Sequence, residues 1–185
     1  MASLARLERL AQPGKIDLFY GDESGVSLLP GVPYGWQFKD EAVFAPSATG
    51  KGVNCFALLS RDNRLFFRTT EAVMNASLVC DYLDQFVHGL KKLTVVVLDN
   101  APVHQKQVQE RRRAWEAKGL YVFFLPPYCP HLNVAETLWR KLKYEWLQAG
   151  DYQEKEVLRL RVWQALAAVG SDLKIAFKPF SQKIN

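Results

Sequence analysis

At 185 residues with 49% of them hydrophobic, the chain can bury one substantial core and is short for two domains, which predicts a single globular unit. The formal charge of +5 and the pI near 9.1 favour an anionic partner, but mildly, because 19 acidic residues are interspersed with 24 basic ones. Three widely spaced cysteines, Cys55, Cys80 and Cys129, lack a CxxC pairing and exclude a disulfide framework and a cysteine zinc site. No apolar run approaches the roughly 20 residues of a membrane helix, and MASLARLERLAQPG is too polar for a signal peptide. A reducing cytoplasm is expected, without membrane association.

In chain order, Leu4, Leu7 and Leu10 with arginines between them predict a short amphipathic helix over 1–12, ended by Pro13 and Gly14. Residues 1–14 read as a helical stub or linker. An apolar strand over 16–20 then runs into Gly21 and the acidic pair Asp22 and Glu23. VNCFALL and RLFFRTT flank SRDN, whose Asp and Asn suit a hairpin turn. Thr70 is the expected N-cap of a helix over 72–89, with Val73, Leu78, Val79, Leu83, Phe86 and Val87 near helical spacing.

LTVVVLDN is a short, almost wholly apolar run, the mark of a strand buried on both faces, and it ends in Asp99. A charged helix over 103–118 closes at Gly119, and LYVFFL supplies another buried strand. Pro126, Pro127 and Pro130 stiffen the loop that follows. Beyond it, 133–148 reads as a helix with an apolar stripe of Leu138, Leu142 and Trp146, and 154–169 as a last helix packed on the same domain with the tail to residue 185. Strand, hairpin, helix, strand, helix, strand, helix predicts an α/β fold, a mixed five-stranded sheet flanked by helices.

Functional groups in such sheets gather beyond the carboxyl ends of parallel strands, and Asp22 and Asp99 each follow an apolar strand. Either alone reads as a turn former or N-cap, and Glu136 alone as an ordinary first-turn acid. Together they raise a different possibility. Carboxylates beside buried strands are costly and repel one another; a divalent cation relieves both problems. Magnesium takes hard oxygen ligands, and three converging acids have the donors for two ions of the kind that assist phosphodiester cleavage.

FYGDES at 19–24, VVVLDNAPVHQ at 95–105 and LPPYCPHLNVAETLWRKLK at 125–143, with a weaker match in PYGWQFKDE at 33–41, resemble the catalytic domain of the mariner-like transposase superfamily. The resemblance is to its bacterial insertion-sequence branch, DDE endonucleases of ribonuclease H-like fold. It covers about 16–148 and places a DDE catalytic domain over 15–150. It implies that Asp22, Asp99 and Glu136 are the catalytic triad and bind Mg²⁺ or Mn²⁺, as two ions. Thirty-six residues stand between Asp99 and Glu136, close to the family's spacing.

The resemblance further implies cleavage at transposon ends and transfer of the 3′-hydroxyl into target DNA, by a homodimer or higher assembly on DNA. Asn100 and His104 fall in the family's DNAxxH pattern, His104 with a supporting or DNA-phosphate role. Glu23 points to the face opposite Asp22 and receives a supporting role at most. Asn133 is retained from the family's loop, whereas Cys129-Pro130-His131 and Val134-Ala135 depart from it. Lys141 and Lys143, on the Glu136 helix, are placed for phosphates. Lys106, Arg111, Arg112 and Arg113 form a basic face suited to DNA backbone. Tyr34 and Trp36 have rings that stack on bases, although Trp36 reads better as core.

Only some fifteen residues precede the first strand, which leaves no room for the helix-turn-helix relatives use to recognise transposon ends. The expectation is a separately encoded helix-turn-helix half, a truncation or a remnant. The alternative functions are a catalytically idle or repurposed DNA-binding and assembly module, and a ribonuclease H-like nuclease acting on branched or hybrid duplexes.

Overall fold

The computed structural model describes residues 2–30, 39, 52–100, 102–127 and 129–178, without the side chains of 2, 102–105 and 130. Tyr34 and Trp36 lie outside the described residues, as does the side chain of His104. After helix α1 (Ala2–Ala11), strand β1 (Asp17–Val26) organises the sheet. It pairs in antiparallel with β2 (Val53–Leu59), which pairs in antiparallel with β3 (Leu65–Thr70). On its other side β1 is parallel to β4 (Thr94–Leu98), and β4 to β5 (Leu120–Phe124), giving the order β3-β2-β1-β4-β5. The expected mixed five-stranded sheet is therefore present.

Helices cover both faces. Alternation along β1 sends Phe19 to one side, where Phe56, Leu58, Val96 and Leu98 meet α2 (Ala76–Val87) and α3 (Pro102–Ala117) through Val79, Leu83 and Trp115. Leu18 and Tyr20 point the other way, against Leu4 of α1 and Ala135 of α4 (Ala135–Lys141). Cys55, Ala57 and Leu59 of β2 pack on that side against Leu138, Trp139 and Leu142, and against Leu158, Val162 and Leu166 of α5 (Lys155–Ala167). β4 is buried at all five positions, as its unbroken apolar run requires. Gly119 turns the chain from α3 into β5 with φ of +85°. No helix among the described residues is long and apolar enough to cross a membrane.

Three expectations about elements are corrected. β1 does not end at residue 20: its pairing with β4 stops at Tyr20 opposite Val97, but its ladder with β2 continues to Val26 opposite Val53. Asp22 therefore sits inside a strand, opposite Ala57. Thr70 does not cap α2, because it is held extended in the β3 ladder opposite Asn54. The cap is Asn75, whose side chain accepts from the Leu78 N–H at 3.0 Å, and Val73, outside the helix, is exposed. The helix over 133–148 is not continuous either. α4 gives way to a π turn over Leu142–Trp146, and the Leu147 N–H reaches back to the Leu142 carbonyl at 3.1 Å.

Candidate active site

Where β4 has ended and β1 still runs on, the sheet leaves a step, and the candidate acids gather there. The parallel register ends with Tyr20 opposite Val97, two residues before Asp22, and Asp99 follows directly on the last residue of β4. Gly21 lets β1 pass this point. A Cβ there would lie 2.6 Å from Leu98 Cδ2 and 2.9 Å from Leu58 Cδ2, both side chains being buried.

The third acid arrives on α4. Asn133, buried in the loop before it, donates from Nδ2 to the Gly21 carbonyl at 3.0 Å, while its Oδ1 accepts from the Ala135 N–H at 3.1 Å. One side chain thus starts the helix and ties that start to β1 beside Asp22. Three residues after Glu136, the Trp139 indole N–H donates to Asp22 Oδ2 at 3.0 Å; Asp22 Oδ1 accepts from the Glu23 backbone N–H at 2.9 Å.

Asp22, Glu23, Ser24, Glu136, Trp139, Arg140, Lys143 and Tyr144 line one hollow of about 260 Å³. Positions 136, 139, 140, 143 and 144 recur at helical spacing, so a carboxylate, an indole, two cations and an exposed phenol share one face. Asp99 lies next door, in a narrow crevice that it shares with Gly21, Asp22 and Glu23. Burial pushes the Asp22 carboxyl up to about 7, helped by the negative charges of Glu136, Glu23 and Asp99 and opposed by the Glu23 N–H.

The acids therefore come together around Asp22: Glu136 across one hollow, Asp99 along the adjoining crevice, and Glu23, on the alternate face of β1, at the rim of both. Among the described residues, no group of three or more His, Cys, Asp or Glu is already arranged as a metal-binding cluster. The donors are nonetheless hard carboxylate oxygens around a buried acid that is costly to ionise, the chemistry that Mg²⁺ or Mn²⁺ fits. Asn100, half-buried, follows Asp99.

The expected basic contacts divide. Lys143 lines the hollow, whereas Lys141 pairs with Glu145 one turn on at 2.6 Å. Arg111 is held by Asp81 and Asp84 of α2, and Arg112 by Glu116 at 2.6 Å. Arg111 and Arg112 are thus ion-paired within the chain, and Lys106 and Arg113 are exposed. The sequence reading passed over Trp139, Arg140 and Tyr144, although their i+3, i+4 and i+8 spacing from Glu136 was the available signal.

A family model for DDE superfamily endonucleases matches residues 17–159. The chain belongs to this family. No curated protein matches it significantly. Among solved structures, this DDE domain is similar to the Mos1 transposase paired-end complex with the left transposon end, with 14% identity and a TM-score of 0.55 over 90% of this chain and 56% of that one. The Mos1 strand transfer complex matches with the same identity and TM-score over 92% and 56%. The catalytic core domain of BIV integrase matches at 16% identity and TM-score 0.50 over 82% and 81%. At these identities the likeness is one of fold, the ribonuclease H-like fold of transposase and integrase catalytic cores. The chain spans 56% of the length of the Mos1 chains it matches.

Proposed function

We propose that this DDE domain is the catalytic part of a transposase, which cleaves DNA at transposon ends and transfers the freed 3′-hydroxyl into target DNA. The observation that carries the reading is the gathering of Glu136 and Asp99 around Asp22, one across a shared hollow and the other along the adjoining crevice; burial first, and then the neighbouring negative charges, push the Asp22 carboxyl up to about 7. Family membership and the transposase and integrase fold support it.

Asp22, Asp99 and Glu136 would hold the metal, as two Mg²⁺ or Mn²⁺ ions. When bound, divalent cations supply Lewis-acid stabilisation of phosphoryl oxygens and make water a stronger nucleophile at neutral pH. The protein's own part is placement. Asn133 fixes the α4 start against β1, and Glu136 shares a hollow with Asp22. Arg140 and Lys143 bring positive charge to the hollow that receives the scissile phosphate, and Tyr144 offers an exposed ring to a neighbouring base. Water attacks the phosphodiester in line, breaks the P–O3′ bond and leaves a 3′-hydroxyl. That hydroxyl attacks a target phosphodiester, joining to its 5′-phosphate and releasing a target 3′-hydroxyl.

Asn100 and His104 have supporting or DNA-phosphate roles in this scheme, and the working unit is a homodimer or larger assembly on DNA. The test is nicking of supercoiled plasmid with Mg²⁺ or Mn²⁺. Asp22→Ala, Asp99→Ala and Glu136→Ala should each lose activity by about a thousandfold or more, on the order of 4 kcal/mol of barrier. Wild-type nicking no faster than that of Asp99→Ala, or unaffected by EDTA, overturns the proposal.

A further inference from the structure

Two hydrogen bonds bracket Glu136 and tie its helix to β1. Asn133, three residues before, reaches the Gly21 carbonyl; Trp139, three residues after, reaches the Asp22 carboxylate. The first fixes backbone against backbone and touches no acid. Only the second ends on one of the proposed metal-holding groups, and it comes from the helix that carries another.

The indole is well suited to that task. Its N–H is a donor only, and it sits on a residue 4% exposed within the core cluster that includes Cys55, Ala57, Leu138 and Leu142. Packing holds the ring, and a packed ring holds its donor in one direction. Asp22 Oδ1 is taken by the adjacent Glu23 N–H, so the Trp139 contact fixes which way Oδ2 faces. Leu138 on the same helix and Leu142 at the start of the π turn, both fully buried, press this segment onto the sheet.

We propose that Trp139 is the positioning residue of this site: its indole N–H orients the Asp22 carboxylate and sets its separation from Glu136, so that the two oxygen donors are presented to one divalent cation. The proposal rests on the reading of Asp22 and Glu136 as metal-holding residues. Trp139 touches neither substrate nor cation and acts through Asp22. Removing partners that orient metal-holding groups typically costs about 10- to 100-fold in metal affinity.

The sharpest perturbation replaces the Trp139 indole with the isosteric benzothiophene amino acid, which keeps the bicyclic ring and removes the N–H. Mn²⁺ binding to the full chain is measured by electron paramagnetic resonance of the free ion, with thermal unfolding in EDTA to follow the metal-free fold. Trp139→Phe serves as a second variant and Asp22→Ala as the control. The expected result is Mn²⁺ affinity lowered about tenfold or more in the benzothiophene variant and in Trp139→Phe, with metal-free melting of the benzothiophene protein within a few degrees of wild type. Equal Mn²⁺ affinity in wild type and the benzothiophene protein, with Asp22→Ala impaired, overturns the positioning role and leaves the metal reading standing. Equal affinity in wild type and Asp22→Ala overturns the metal reading, and the positioning role with it.

Discussion

Replacing Asp22 with Asn in the metal-free protein isolates the electrostatic cost of the site. Burial and the charges of Glu136, Glu23 and Asp99 raise the folded carboxyl from 3.8 to about 7. A folded pKa above the unfolded one means that native stability is fullest below pH ~4 and is lost as pH climbs through 7. About three units at 1.36 kcal/mol each make that loss ~4 kcal/mol at most for a group mainly but not wholly buried. Asn carries no charge and escapes it. It does bring a pH-independent cost: Asp22 accepts from both the Glu23 and the Trp139 N–H, and an amide has one oxygen for two donors, about 1–3 kcal/mol. The diagnostic quantity is therefore the change with pH. Urea denaturation in EDTA at pH 4 and pH 8 should show Asp22→Asn gaining about 2–4 kcal/mol on wild type between the two. Millimolar Mg²⁺ at pH 8 should restore much of the wild-type deficit and leave the variant unmoved. A difference that stays flat within ~0.5 kcal/mol across that range would refute the reasoning.

Gly21→Ala should destabilise by about 1–3 kcal/mol in urea denaturation, because its Cβ meets buried Leu98 and Leu58, and nicking should fall as β1 shifts beside Asp22. An unchanged midpoint would mean that the leucines move aside freely. In fluorescence anisotropy with duplex DNA, Arg140→Gln and Lys143→Gln should each lower the slope of log affinity against log salt by about 1. Arg111→Gln should leave that slope unchanged, since its guanidinium is engaged by Asp81 and Asp84; an equal drop would move the DNA path to α3.

The order of strands and helices was legible because each element has a local cause: the unbroken apolar run of β4, the Asp-Asn turn at 62–63, Gly119 after α3. The full length of β1 was not. GDESGV has neither the apolar run nor the alternation of a strand, and it is extended because β2 pairs with it over Tyr20 to Val26, a partner no window of sequence displays. Thr70 misled for a related reason. Its hydroxyl does accept a backbone N–H, that of Ala72 at 3.1 Å, so its local chemistry resembled a cap while the ladder with Asn54 kept it in the strand. Trp139 looked like one more apolar residue on a helix stripe, and its hydrogen bond crosses 117 residues to reach Asp22.

A single strand contains two partly buried aspartates, and the contrast between them says what kind of place the site is. At its start, burial alone would raise Asp17, but Arg64 at 2.8 Å and Lys92 at 3.1 Å override it and hold the carboxyl low. Five residues on, the charges that most affect Asp22 are three other carboxylates, and its pKa goes up. The chain does not lack cations at that end, for Arg140 and Lys143 line the same hollow as Asp22. The hydrogen bond that reaches the acid from this helix nevertheless comes from an uncharged N–H donor, that of Trp139. An acid that the fold compensates internally, as at Asp17, serves the fold. One held in place, oriented and left with its charge unmet costs stability for as long as the site is empty, and sequences that are otherwise locally consistent retain such a cost chiefly where function requires it.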